Sequence, residues 1–276
     1  MIELFKLGSV GIYLFGVTIG LGVLAGLWIM VREAKRKGIY SDKILDLVTY
    51  TIIAGIIGAR LYYIIAFNFS YYLENPVEIF YFHQGGLSIQ GALIGGTLIA
   101  FWFMRKNGMP FWKTADTFAP AIIIGQAIGR IGCDVFGIPM NRVYPWGIAV
   151  GGQILHPAQL YEVFLNLILF VYLWTRRGKT KYDGQLFVNY IIGFSIIRAI
   201  VEIFRSNPIV FGPFTIAHAT SFVVILVALF VQRVISKKEN LQKDSVVNAT
   251  VVVSIAEYGL IALIGILGTI IYYTVH

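Results

Sequence analysis

Gln185-Leu-Phe-Val-Asn-Tyr-Ile-Ile-Gly-Phe-Ser-Ile-Ile-Arg198-Ala-Ile-Val-Glu202-Ile-Phe-Arg205 is a nearly unbroken apolar run with three charges at one end. About 20 apolar residues suffice for a helix to cross a bilayer. On such a helix, spacings of four and three put Arg198, Glu202 and Arg205 on one face. A charge near mid-bilayer costs about 2.5–3.5 kcal/mol on insertion scales, so charges kept in such a segment mark a functional site. Two arginines around one carboxylate leave positive charge over, which suits an anion. A structural ion pair that locks helices together is the competing reading.

The rest of the chain agrees with a membrane setting. Of its 276 residues 58% are hydrophobic and 13% charged, whereas soluble domains carry about 25% charged residues. This composition predicts an all-α polytopic integral membrane protein and excludes a soluble globular one. The net charge of +8 does not imply nucleic acid, because membrane proteins gather Lys and Arg in cytoplasmic loops. A single cysteine, Cys133, excludes an internal disulfide and a cysteine-cluster metal site. The first apolar run is too long for the core of a cleavable signal, and its basic cluster follows rather than precedes it.

Apolar windows predict eight spans, at 8–31, 44–66, 87–104, 114–130, 158–175, 185–204, 215–233 and 250–273. Sixteen of the 22 Lys and Arg fall in alternate loops, around 32–43, 105–113, 176–181 and 233–243. Placing those loops in the cytoplasm puts the N-terminus outside. Of the remaining six, Arg60, Arg130, Arg198 and Arg205 lie in or at the ends of apolar stretches on the outer side. Loops 67–86 and 131–157 are the long outer segments and are expected to form a small cap. Residues 237–249 read as a polar linker between a core at 1–236 and an additional C-terminal transmembrane helix at 250–276.

Four further segments carry candidate groups. Gly129-Arg130-Ile-Gly132-Cys133-Asp134-Val-Phe-Gly137 joins a span to an outer loop, with glycines that permit close backbone approach. His156-Pro-Ala-Gln-Leu-Tyr161-Glu162 enters span five. There Pro157 suits a first helical turn, and Glu162 needs a cationic partner at membrane depth. Gly85-Gly86-Leu-Ser88-Ile-Gln90-Gly91 opens span three, its glycines suited to helix packing and Ser88 and Gln90 to a pocket. Gly58-Ala-Arg60-Leu-Tyr-Tyr63 ends span two, where Arg60 has a ligand-binding and a structural reading of equal weight. His218 reads as a packing histidine, and no spacing of histidines and carboxylates suggests a metal.

These motifs, in this order, resemble the bacterial phosphatidylglycerol–prolipoprotein diacylglyceryl transferases over about residues 8–236. The resemblance rests on Gly58-Ala-Arg60, Gly85-Gly86-Leu-Ser88, Gly129-Arg130-Ile-Gly132, His156 to Glu162 and Arg198-x-x-x-Glu202-x-x-Arg205. It implies a seven-span core with an outside N-terminus in the bacterial inner membrane. It also implies transfer of a diacylglyceryl group from phosphatidylglycerol to the lipobox cysteine of a prolipoprotein, releasing glycerol 1-phosphate, with no cofactor. It implies catalytic roles for Arg130, Arg198, Glu202, Gln90 and His156. Arg130, Arg198, Arg205, Arg60, Asp134, Gly137 and Glu162 would meet the headgroup. The chain departs from the family pattern at Gln90, where a histidine is usual, and at Phe15 and Phe194, where tyrosines are usual. Glutamine cannot take a thiol proton, so His156, His83 or arginine activation of the thiol would have to serve. A diverged relative with another acceptor, and a non-catalytic anionic-lipid binder or transporter, are the alternatives.

Overall fold

In the computed structural model the described residues are 2–8, 10–81, 85–239 and 253–275, so His83 and most of the predicted linker at 237–249 lie outside them. They contain eight helices of 18 residues or more. These are α1 (Leu14–Arg36), α2 (Ser41–Phe67), α4 (Ile89–Lys106), α5 (Phe111–Ile131), α6 (Ala158–Arg176), α7 (Gln185–Glu202), α8 (Ile216–Glu239) and α9 (Ile255–Val275). A short α3 (Phe69–Glu74) and a 3-10 turn at Pro76–Phe80 follow α2. Six of the eight are long and apolar enough to cross a membrane by length and composition. The other two, α4 and α5, fall where spans three and four were expected but are more polar. Arg105 and Lys106 close α4, and α5 carries Lys113, Asp116, Gln126 and Arg130.

The first span starts later than its apolar run. Residues Glu3–Leu7 (β1) and Val10–Tyr13 (β2) pair as an antiparallel hairpin, and helix begins only at Leu14. Gly8, at φ 64°, supplies the turn that an L side chain rarely adopts.

The chain divides into two compact units, one of residues 1–30 and 115–276, the other of residues 31–114. In the smaller unit α2 and α4 pack backbone to backbone. A Cβ on Gly58 would stand 2.5 Å from the Gly91 carbonyl oxygen, so only glycines allow this approach. The glycines around Gly91 therefore serve packing, as their spacing suggests.

In the larger unit α1 and α5 approach equally closely. A Cβ on Gly22 would meet Gly125 O at 2.6 Å, and one on Gly26 would meet Ala121 O at 2.8 Å. Asp116 of α5 is fully buried and accepts hydrogen bonds from Gly184 N and Phe187 N, both at 3.0 Å. A carboxylate at a helix N-terminus satisfies orphan N–H groups and complements the helix dipole, so Asp116 anchors the start of α7. Two small hairpins complete this unit. Ile148–Val150 (β3) pairs with Gln153–Leu155 (β4), and Ile209–Phe211 (β5) with Phe214–Thr215 (β6).

The last helix, α9, belongs to the same unit and packs on α6. Its N-terminal end carries Glu257, whose carboxylate lies 3.8 Å from Arg177. The Arg177 guanidinium in turn stacks 3.3 Å over the Trp174 ring.

Candidate active site

The charges of α5, α6 and α7 meet in the larger unit. Arg130, in the last turn of α5, directs Nε to Glu162 Oε1 at 2.9 Å, and its Nη1 lies 3.6 Å from Cys133 Sγ. Glu162, one turn into α6, is buried, and its Oε2 has no hydrogen-bond partner among the described residues. The arginine expected for Glu162 is thus Arg130.

Glu202, at the end of α7, is the hub of the second cluster. Its Oε2 lies 3.0 Å from Arg198 Nη2 and 4.0 Å from Arg205 Nε. Its Oε1 accepts from Asn207 Nδ2 at 2.7 Å and from Thr215 Oγ1 at 2.8 Å. His218 Nδ1 accepts from Thr215 N at 3.2 Å, so the histidine holds the same strand. Arg198 Nη1 is buried with no hydrogen-bond partner among the described residues.

The two clusters sense one another. Burial, and then the like charges of Arg198 and Arg130, lower the Arg205 pKa, while Glu162 and Glu202 act to raise it. Arg205 and Glu202 line an open cleft of about 840 Å³, whose other walls include Ile138, Ile196, Ile200, Ile203 and Phe214. Ser206, Asn207, Thr215 and His218 also line it, so the cleft combines charged, polar and apolar groups.

The loop after α5 is tied to both clusters through its backbone. Gly137 N donates to His156 O at 2.8 Å, and Ile138 N to Phe204 O at 2.8 Å. A Cβ on Gly137 would collide with Phe204 O and stand 2.8 Å from His156 O. The loop therefore passes between His156 and the residue before Arg205 only because position 137 has no side chain. Gln159 Nε2 donates to Cys133 O at 3.1 Å and holds the start of the same loop. His156 shares a 3.1 Å hydrogen bond between its Nδ1 and Tyr161 OH, and its ring lies 5.1 Å from that of Phe204.

Arg130, Arg198, Glu202, Arg205, Glu162, Asp134, Gly137 and His156 all fall in the larger unit; Arg60 and Gln90 fall in the smaller one. Arg60 is buried, and four backbone carbonyls take up its guanidinium: Ile79 O at 3.0 Å, Gly85 O at 2.8 Å, Gly86 O at 3.2 Å and Glu78 O at 2.6 Å. Such a net ties the turn at Pro76–Phe80 to Gly85 and Gly86. Gln90 is exposed and accepts from Ser88 Oγ at 2.6 Å. Among the described residues no group of three or more His, Cys, Asp or Glu could hold a metal.

Sequence reasoning missed Asn207, Thr215 and Asp116. The first two reach Glu202 from the segment after α7, where no spacing signals a carboxylate partner. Asp116 was legible as a lone acid in an apolar span, but its use as the anchor of α7 depends on tertiary packing.

Comparison with known proteins bears on this site. The model of the family described as prolipoprotein diacylglyceryl transferase matches residues 3–234. Proteins named phosphatidylglycerol–prolipoprotein diacylglyceryl transferase are similar to the chain over 238 residues, 81% of it and 88% of each relative. Those of Bacillus mycoides (strain KBAB4) and Bacillus anthracis (strain CDC 684 / NRRL 3495) are 37% identical, and that of Bacillus cereus (strain G9842) is 36% identical.

Proposed function

The chain belongs to the prolipoprotein diacylglyceryl transferase family, and on that footing we propose that it transfers a diacylglyceryl group from phosphatidylglycerol to prolipoproteins. The observation that carries the reading is the match across residues 3–234, which spans every element of the charged site. In this reading the acceptor is the lipobox cysteine thiol. Its sulfur attacks the glyceryl carbon next to the phosphate, a thioether C–S bond forms, and the C–O bond to phosphate breaks. Glycerol 1-phosphate leaves, and the thiol proton is released.

Arg198 and Arg130 hold the headgroup phosphate, for which guanidinium forks are well matched. Arg198 Nη1 supports this, being buried and without a hydrogen-bond partner among the described residues. Glu202 orients Arg198 and supports Arg205, and Glu162 orients Arg130. As the leaving phosphate gains charge, preformed donors stabilise it without reorganising. The same positive field lowers the pKa of the acceptor thiol toward thiolate, the reactive form. Asp134, Gly137 and His156 shape the outer wall, while Arg60 holds backbone carbonyls of its own unit. Residues 1–236 form the seven-span core with the N-terminus outside the bacterial inner membrane. No cofactor, metal or nucleic acid takes part.

The test is purified protein with phosphatidylglycerol and a lipobox peptide, read as glycerol phosphate release. Arg130→Ala and Arg198→Ala are each expected to abolish it; full activity in both variants would overturn the reading. A second reading, transfer to a different acceptor, is favoured by Gln90, which cannot act as a base. Mass spectrometry of lipoproteins, in a strain that has this protein in place of its housekeeping enzyme, separates the two. Unmodified lipoproteins would support the second.

A further inference from the structure

Helix α9 lies beyond residue 234, where the family match stops. It is nonetheless built into the unit that holds the charged site. A Cβ on Gly268 would stand 2.8 Å from Ile131 Cδ1, so α9 passes tightly against the residue that follows Arg130. Tyr272 is fully buried against Ile148 and Leu160, with Phe136 packed on the same cluster. Beside it, Tyr273 OH donates to the backbone carbonyl of Trp146 at 2.6 Å. Trp146 Nε1 donates to Tyr161 OH at 3.0 Å, which bonds His156 Nδ1 at 3.1 Å. His156 O then accepts from Gly137 N at 2.8 Å. A continuous hydrogen-bonded path thus runs from the end of α9 to both sides of the outer loop.

We propose that Tyr273 is a positioning residue: it fixes Trp146, and through Tyr161 and His156 sets the loop that bears Asp134 and Gly137 against the headgroup. Tyr272 is the apolar pivot of the same contact. This rests on the transferase reading above. The loop meets the donor lipid rather than the breaking bond, so loosening it weakens binding more than chemistry.

The experiment compares Tyr273→Phe, which removes only the hydroxyl, with wild type in the glycerol phosphate assay, alongside thermal unfolding in detergent. One hydrogen bond of this kind corresponds to about a threefold to tenfold rise in KM for phosphatidylglycerol, with kcat changed less than about twofold and the unfolding temperature lowered by no more than a few degrees. Tyr161→Phe is expected to raise KM similarly, and the double variant no further, because both break one path. Tyr258→Phe, at the other end of α9, is the control and leaves KM and kcat unchanged. An unchanged KM in Tyr273→Phe, additive effects in the double variant, or a loss of kcat that tracks lowered stability would each overturn the proposal. A wild-type protein that releases no glycerol phosphate overturns the transferase reading itself, and this one with it.

Discussion

Replacing Glu202 by glutamine keeps the shape of the hub and removes its charge. Oε1 accepts from Asn207 and Thr215, and the glutamine oxygen can still do so. The amide nitrogen must then take the place of Oε2 and face Arg198 Nη2 at 3.0 Å and Arg205 Nε at 4.0 Å, donor against donor. At an effective dielectric near 20, unit charges at these distances attract by about 5.5 and about 4 kcal/mol. Desolvation of the buried carboxylate, and water at the partly exposed arginines, cancel most of that. A net loss of about 2–3 kcal/mol is left for a pair broken on one side. If Arg198 must be held to bind the leaving phosphate, the loss falls on kcat/KM, as a reduction of about 30-fold to 150-fold. Glycerol phosphate release, measured across phosphatidylglycerol concentrations, reads it directly. A variant within threefold of wild type would refute the role of Glu202 as the orienting partner.

Other expectations follow from the same contacts. Gly137→Ala forces a methyl into the carbonyl oxygens of Phe204 and His156, and is expected to lose about 1–3 kcal/mol of stability and most activity; thermal unfolding and the transfer assay check both. Asp116→Asn replaces one of the two acceptors at the start of α7 with a donor. It should cost about 1–3 kcal/mol, seen as a drop of several degrees in unfolding temperature. Arg60→Met strips four carbonyls of their donor and should open the turn at Pro76–Phe80 to limited proteolysis before it affects the rest of the chain.

Much of this was legible because membrane burial makes charge conspicuous. The apolar runs placed the long helices. The spacing of Arg198, Glu202 and Arg205 gave their common face, and Glu162 demanded an arginine that proved to be Arg130. Three things were hidden. The second strand of the hairpin, Val10–Tyr13, lies inside the apolar run read as a span from residue 8, and only the turn at Gly8 marks it as strand. Asn207, Thr215 and Asp116 act through tertiary approach, which periodicity does not encode. The polar stretch before residue 250 suggests that the last helix stands apart, yet α9 clusters with the core through Gly265, Gly268 and Tyr272. These are small and aromatic residues whose partners lie about a hundred residues or more away in sequence.

The exposure of the charges supports the proposed ligand-binding role of the arginines over a purely structural one. A pair that only locks helices would bury both partners and use up their donors. Here Glu162 and Glu202 are 2% and 1% exposed at their side chains, while Arg130, Arg198 and Arg205 are 31%, 27% and 17% exposed. Each guanidinium is held along one edge by a buried carboxylate, and Arg198 Nη1 is left without a hydrogen-bond partner among the described residues. The charges acting around Arg205 are three arginines and two carboxylates, which leaves one positive charge over. A phosphodiester headgroup carries about one negative charge and neutralises that excess on binding. Departure as a phosphate monoester brings its charge toward two, so attraction grows along the reaction coordinate. Interactions stronger in the transition state than in the bound lipid are the ones that raise kcat. In the proposed reaction, buried carboxylates that hold arginines without satisfying them leave positive charge for the departing phosphate.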